Sequence, residues 1–509
     1  MADSRSGTNQ PTSKLWLLAF PVLLFFLLGT GSLPLLDRDE PRFAEATREM
    51  LQSGDWIVPR LNGQDRFDKP PLIYWLQAAA FLAFGESEAA ARLPAAACAA
   101  GTVLASAFWA RRIAGERAGW YAGLILASAP LMQIHSRLSV ADMPMVLFFV
   151  LTCRSGWECT TGSGSSSSRR LWHAAFPVFL AFGFLAKGPV AWLPGVIAVW
   201  QGRRLEPFRR FRWAWIVPLV LLLVGLWGIP ALLRTQGRFL EVGIGKHVIG
   251  RSFTVMEGHG LGGFLGYLGA IPFHFLMLFP GLFPWSIPLA RRLPLLRRWR
   301  NDGGDAAWLL GTSLLVLVVF SFVRTKLPHY TLPAYPLLAV WIATRLAADG
   351  APMQGVVLKA GAQIAAITAI AFFGTPLLRE RLPVRALVAE ASPWIDPDSE
   401  VATVGFDEPS AVWYLRARTQ GFVRHLEPDE LDDFLAGKGP RLCLVAEGPK
   451  TGDILSRWPG LRRFEASGIN IANGKPVRLR LLVREADSAG GAGNRILAVP
   501  EQTVRSSPP

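Results

Sequence analysis

The stretch Leu35–Gly85, LLDRDEPRFAEATREMLQSGDWIVPRLNGQDRFDKPPLIYWLQAAAFLAFG, decides the reading of this chain. It is dense in acids, bases and tryptophan, yet apolar segments of membrane length lie on both sides of it. A charge-rich loop of this length between two apolar spans is a candidate place for chemistry at the bilayer surface. Two helices are readable inside the stretch. Asp39 reads as an N-cap, with Glu40 and Pro41 in the first turn, an apolar stripe of Phe43, Ala46, Met50 and Leu51, and Gly54 as the stop. A second helix is expected over residues 70–83, after Asp68 and before Gly85. At about 14 residues it is too short to span, so it should lie at the interface with Tyr74 and Trp75 near the headgroups. Both helix starts carry acids and the second also carries Lys69. Helix N-termini attract anions, so a lysine beside one suits a phosphate. Asp39 and Asp68 also fit the plainer role of caps.

The rest of the chain supports a membrane setting. Of 509 residues, 51% are hydrophobic and only 18% charged, against about a quarter charged in ordinary soluble proteins. The 31 Phe and 19 Trp suit lipid-facing segments and interfacial belts. The net charge of +15 is concentrated in short Arg clusters between apolar runs, at 111–117, 169–170, 203–212 and 291–300. Such clusters are topology signals of the positive-inside kind, and they argue against nucleic-acid binding. The four cysteines and seven histidines are scattered, with neither a disulfide framework nor zinc spacing. No small-residue cleavage site follows the first apolar run, so it is expected to stay as a first span.

Placing every Arg cluster inside predicts about 11–13 transmembrane helices with a cytoplasmic N-terminus. Apolar runs are expected at 15–35, 91–110, 118–134, from 143 to near 157, on both sides of Lys187, and at 216–233, 264–289, 306–323, 330–344 and 356–378. The loops at 36–90, 137–142, 234–263 and 324–329 then share the outer face with Lys187. The domain expectation is a disordered N-terminus at 1–14, a membrane domain at 15–378, an α/β domain outside the membrane at 379–485 and a disordered tail at 486–509. Strands are expected at 401–406, 411–415, 441–446 and 477–483, with helices at 427–435 and 452–458.

Three motifs of the opening loop, DEPRFAEATREMLQSGDWIVPR (39–60), DKPPLIYWL (68–76) and FGESEAAARLP (84–94), resemble those of the family 39 glycosyltransferases. The resemblance is strongest to the aminoarabinose–lipid A transferase branch, related to the dolichyl-phosphate-mannose protein mannosyltransferases. ADMP (141–144), AKGP (186–189), HVIGR (247–251) with His259, and KLPHY (326–330) sit where such proteins carry similar motifs. The likeness covers about residues 15–344.

The resemblance implies a GT-C fold, a polytopic helical domain with interfacial helices in the first outer loop and a small outer C-terminal domain. It implies a glycosyltransferase that takes a sugar from a polyprenyl-phosphate donor. The acceptor would be lipid A, another envelope glycan or a protein, at the outer face of a bacterial inner (plasma) membrane. Carried onto this chain, Asp39 matches a catalytic acid, Lys69 a lysine near the carrier phosphate, Asp142 a second acidic site residue and Tyr330 a tyrosine near the donor phosphate. Two departures bear on the substrate: Asp68 stands where close relatives often have Glu, and Lys246 where an acid is common.

The expected chemistry follows from the bond that breaks. Negative charge grows on the departing phosphate, where Lys69 and Arg251 are the first candidates and Lys187, Lys326 and Tyr330 the second. Asp39 is the candidate base on an acceptor hydroxyl, with Asp142 and Glu40 as further acids, and direct attack would invert the anomeric centre. Asp68, Arg42, His247 and His259 complete the candidate set. No metal site and no cofactor are expected, because several cationic side chains reduce a monophosphate's need for a divalent cation. Each residue keeps a plainer reading: Asp142 as a helix cap, Lys187 as a snorkelling side chain, Tyr330 as an interfacial belt residue. A transporter would place its charges near the midplane on repeated halves, which this chain does not do. The alternative that stays open is a polyprenyl-phosphate-binding flippase or scaffold without transferase activity.

Overall fold

A computed structural model describes residues 13–161, 166–202, 212–250, 263–292, 305, 307–448, 451, 458 and 460–485. The chain divides into two compact units. The first comprises Met1–Arg385 together with two later segments, Glu408–Tyr414 and Ser467–Val477. The second holds Ala386–Asp407, Leu415–Ala466 and Arg478–Pro509.

The first unit is helical. A short opening turn, Lys14–Leu18, leads into α1 (Ala19–Leu27). The opening loop carries α2 (Asp39–Ser53), a tiny hairpin of β1 (Arg60–Leu61) and β2 (Gln64–Asp65), and α3 (Leu72–Phe84). Then come α4 (Glu88–Ala114), α5 (Glu116–Ser128), α6 (Pro130–His135), α7 (Asp142–Thr161), α8 (Ser166–Lys187), α9 (Leu193–Gly202) and α10 (Trp213–Arg234). Later helices include Thr312–Phe322, Ala334–Ala348 and Met353–Glu380.

Glu88–Ser128, Trp213–Arg234 and Met353–Glu380 are long and apolar enough to cross a membrane, and shorter apolar helices accompany them. Trp213–Arg234 and Met353–Glu380 expose Leu221, Leu226, Leu233, Ile370, Phe373 and Leu377. Such a surface suits hydrocarbon, where a helix needs only its internal backbone bonds satisfied. The inner helices approach closely instead. α4 is rich in alanine and buries most of its length. A Cβ on Gly123 of α5 would lie 2.7 Å from Leu18, and one on Gly156 of α7 only 2.3 Å from the Trp308 ring. Small residues at these positions let the helices meet side by side.

Several expected segments differ in detail. α2 begins at Asp39 itself, with Arg38 at the cap position and no side-chain cap bond. Its stop is as expected: Gly54 takes a left-handed conformation, φ 68°. The run at 264–289 is not one helix but three pieces, Gly263–Gly269, Phe273–Gly281 and Ser286–Arg291, with Pro272, Pro280 and Pro284 at or between them. Proline removes a backbone donor and clashes with the preceding turn. The polar loop at 234–263 holds a wide-turned helix, Phe239–Gly250.

The second unit carries a small mixed sheet, ordered β4-β3-β5-β7-β6. Its strands are β3 (Glu400–Val404), β4 (Val423–Leu426), β5 (Arg441–Ala446), β6 (Arg462–Asn470) and β7 (Lys475–Arg484). β3 runs parallel to both β4 and β5, while β7 returns antiparallel to β5. Leu431, Phe434 and Leu435 pack on Ala402, Val404, Cys443 and Val445. The helix before them opens on a reciprocal cap between Glu427 and Glu430. The expected strand at 411–415 is instead a helix, Pro409–Arg416. The expected helix at 452–458 falls almost wholly outside the described residues. The chain is thus a mainly α, polytopic membrane protein with a small C-terminal α/β unit.

Candidate functional site

The start of α2 sets two acids side by side in different surroundings. Asp39 is exposed, and among the described residues its carboxylate takes no hydrogen bond. Glu40 is buried and fully engaged. It receives Arg92 Nε at 2.8 Å and Nη2 at 2.7 Å, the Ser139 amide at 2.6 Å and the Leu36 amide at 3.0 Å. Arg92 also donates to the carbonyls of Leu33 and Pro34, both at 2.9 Å. One buried ion pair therefore ties α4 and α2 to the end of the first apolar segment. Glu40, expected among the catalytic acids, has no oxygen left for a substrate.

The hairpin after α2 turns on Asn62 and Gly63, both at positive φ, the backbone an Asn-Gly turn prefers. Glu49 of α2 accepts the amides of both turn residues. The chain then enters Arg66, buried, which pairs with Asp68 at 3.0 Å and donates to the Tyr74 hydroxyl at 3.0 Å. Tyr74, expected near the headgroups, is fully buried for this reason. Trp75 donates to the Trp56 carbonyl at 2.9 Å. Asp68 and Lys69 follow, at the rim of a cavity of about 480 Å³.

The cavity is lined by both polar and apolar side chains. The polar ones include Asp68, Lys69, Lys187, His329 and Tyr330. The apolar ones include Val224, Trp227 and Leu232 of α10, with Val319, Phe320 and Val323. Lys187 ends α8, where Gly188 at φ 79° turns the chain away. Its ammonium meets Asp142 Oδ1 at 2.5 Å, and His329 Nε2 lies 4.0 Å from the same oxygen. Lys187 Nζ also sits 5.8 Å from the centre of the Tyr330 ring, which packs on Phe320 at 4.6 Å. Desolvation in the cavity wall pushes the His329 imidazole down to about 3, with Lys187 adding to it and Asp142 opposing. The ring is therefore neutral near pH 7.

Asp68, Lys69, Lys187 and Tyr330 are thus brought together, with Asp142 behind Lys187. Asp39, Glu40 and Arg42 share α2 but do not line the cavity. Lys326 does not line it either. Its ammonium donates to the Ser321 carbonyl at 2.5 Å and lies 5.7 Å from the Tyr267 ring centre. His247 lies on described backbone only, and Arg251 and His259 fall outside the described residues. Arg66, Arg92 and His329 were not among the sequence candidates. His329 stands in the KLPHY motif and Arg92 in FGESEAAARLP, but Arg66 reveals itself only through partners that folding supplies. Among the described residues no three His, Cys, Asp or Glu side chains converge as a metal site.

The family model for dolichyl-phosphate-mannose-protein mannosyltransferases matches residues 68–228. A curated undecaprenyl phosphate-alpha-4-amino-4-deoxy-L-arabinose arabinosyl transferase of Aeromonas salmonicida is 29% identical over 64% of this chain and 59% of its own length. A second, of Pseudomonas fluorescens, is 30% identical over 66% of this chain and 57% of its own length. The chain thus spans less than two thirds of the curated transferases it matches. An uncharacterised protein of Aquifex aeolicus is 30% identical over 64% of this chain and 72% of its own length. In three dimensions the chain is similar to ArnT from Cupriavidus metallidurans bound to undecaprenyl phosphate. The TM-score is 0.76 at 20% identity, covering 94% of this chain and 99% of that one. That likeness assigns the GT-C fold. With the motifs and relatives taken together, the chain belongs to the family 39 glycosyltransferases and is similar, within them, to the aminoarabinose transferase branch.

Proposed function

We propose that this protein transfers a sugar from a polyprenyl-phosphate carrier to an acceptor at the outer face of the bacterial inner membrane, with inversion. The observation that carries the reading is the mixed lining of this cavity. Its cationic and hydroxyl side chains suit a phosphate, and its many apolar side chains suit an isoprenoid chain. The names of the curated relatives point to undecaprenyl phosphate as carrier and 4-amino-4-deoxy-L-arabinose as sugar. Lipid A is the first acceptor to test. The outward placement of the opening loop follows from the Arg clusters.

In this reading the acceptor oxygen attacks the anomeric carbon as its bond to the carrier phosphate breaks. The phosphate leaves on the carrier with the electron pair of that bond. Lys69 and Lys187 stabilise the growing negative charge by charge-assisted hydrogen bonds, and Tyr330 donates its hydroxyl. Asp39, exposed at the start of α2, takes the proton of an acceptor hydroxyl. If the acceptor is already an ionised phosphate, Asp39 orients it or stabilises the sugar cation. Glu40 and Arg92 hold the helix start that presents Asp39. Asp142 orients Lys187 rather than reacting.

Purified wild type and Asp39→Asn, incubated with lipids extracted from the native membrane, test the proposal by mass spectrometry. Loss of sugar from polyprenyl-phosphate lipids with wild type only is the expected result, and the mass lost names the sugar. Carrier binding without loss of sugar, with lipid A supplied, would favour the flippase or scaffold reading.

A further inference from the structure

A segment far along the chain returns to the opening loop. Glu408–Tyr414 belongs to the first unit, and its contacts converge on the residues just before Asp39. The Ser410 amide donates to Asp37 Oδ1 at 2.8 Å, and the Ser410 hydroxyl donates to Asp37 Oδ2 at 2.5 Å. Both oxygens of one carboxylate are thus held by one residue. Glu408 pairs with Arg38 at 3.3 Å and receives Asn470 Nδ2 at 3.0 Å. The Leu35 amide donates to the Tyr414 hydroxyl at 3.0 Å, and that hydroxyl donates to Glu88 at 3.1 Å.

The same segment grips α2 further along. Arg48 lies over the Trp413 ring, 3.7 Å from its centre, and donates to the Trp413 carbonyl at 3.0 Å. Trp413 also stacks on Phe81 of α3, with ring centres 6.0 Å apart. Ala411, Val412, Trp413 and Tyr414 are all buried. Nothing in this segment lines the donor cavity. It bears instead on residues 35–38 and on the helix whose first residue is Asp39.

The geometry points to Glu408–Tyr414 as a positioning element for the transfer reaction, in which Ser410, by fixing Asp37 two residues ahead of Asp39, sets the direction of the Asp39 carboxylate. This rests on the proposed transferase reading. The physical reason is short: a carboxylate at the first position of a helix can be aimed only as well as the chain entering that helix is fixed. On the α2 side that chain is fixed by Glu40 and Leu36, and on the other by Ser410, Glu408 and Tyr414. A general base displaced by about 1 Å loses on the order of 100-fold in rate.

The test compares wild type, Ser410→Ala and Ser410→Thr in detergent with the native lipid extract. Ser410→Ala is expected to lower kcat by about ten-fold or more while KM for the polyprenyl-phosphate donor stays within about two-fold, and Ser410→Thr to restore most of kcat. Hydrogen exchange of the amides at 35–45 is measured on the same samples, and faster exchange in Ser410→Ala is expected. Unchanged kcat and unchanged exchange in Ser410→Ala would overturn the assignment. So would a kcat loss that Ser410→Thr does not restore. If wild type itself transfers no sugar, the transferase reading fails by that result, and unchanged exchange in Ser410→Ala then removes the positioning element as well.

Discussion

Two acidic corners of this protein are built in opposite ways. At the start of α2, Asp39 is open to solvent and Glu40, next to it, takes the structural load through Arg92. Behind the cavity's Lys187, Asp142 is buried and its charge is met by that lysine at 2.5 Å. In the first corner the work is divided between adjacent residues, leaving one carboxylate available to react. In the second a single carboxylate is committed to a neighbour, and what it offers a ligand is a well-aimed ammonium. An acid's role is set by how many donors already reach it, not by its position in a motif.

The comparison is broken most directly at Asp39. Asp39→Asn should lower the transfer rate by about 10²–10⁴-fold with little change in thermal unfolding temperature. A rate within a few-fold of wild type would mean that the open acid is not the reacting one. Glu40→Ala should do the reverse. It leaves Arg92 buried without its carboxylate, which costs about 3–5 kcal/mol, read as a lowered unfolding temperature in detergent. Unaltered stability there would undo the division of labour between the two acids. Lys187→Met and Asp142→Asn, each destabilising alone, should be less than additive together, with a coupling of about 0.5–3 kcal/mol. Additive losses would show that the pair is not a unit.

The smallest effect concerns Asp37. Burial pushes its carboxyl up to about 6, with Glu408 adding to this, while the bonds from Ser410 and the nearby Arg42 charge oppose it. The folded state then holds a proton that the unfolded chain has released between its ordinary value of 3.8 and about 6. Stability from this group is present below that window and is lost as pH rises through it. His329 acts in the other direction, because its folded value lies below the unfolded one, so its contribution is lost as pH falls. The measurement is therefore the difference between wild type and Asp37→Asn across pH 4–7. It should amount to on the order of 1 kcal/mol, since partial exposure screens the carboxylate. A flat difference would mean that Asp37 does not titrate in this range.

The parts of this arrangement legible in the sequence are those with local causes. The apolar stripe and Gly54 stop of α2 follow from helical spacing and one glycine. Lys69, Lys187 and Tyr330, named from motifs well apart in the chain, do line one cavity. What was not legible depends on distant partners. Arg92 stands in the FGESEAAARLP motif, but nothing there names its partner, Glu40, 52 residues away. Ser410 lies 373 residues from Asp37 and carries no local signal. The apolar residues Ala411–Leu415 favour a strand by type, yet they form a helix because Pro409 can open one and Trp413 and Tyr414 find partners on the opening loop. The same holds for Glu40: nothing in DEPR tells which of two acids turns inward.

The pairing of Lys187 with Asp142 has a consequence for which anions reach the cavity. A lone ammonium is a monopole and attracts any anion over a distance set by the salt in the medium. An ammonium 2.5 Å from a carboxylate is nearly a dipole, whose field fades much faster with distance. Phosphates of ordinary membrane lipids, crowded in the headgroup plane, therefore feel little pull from this pair. A phosphate feels it once its chain already lies along the Trp227 and Phe320 wall. In the proposed reading the Lys187 pair would therefore act on a carrier phosphate only after the isoprenoid has entered, a filter by order of contact rather than by strength of attraction.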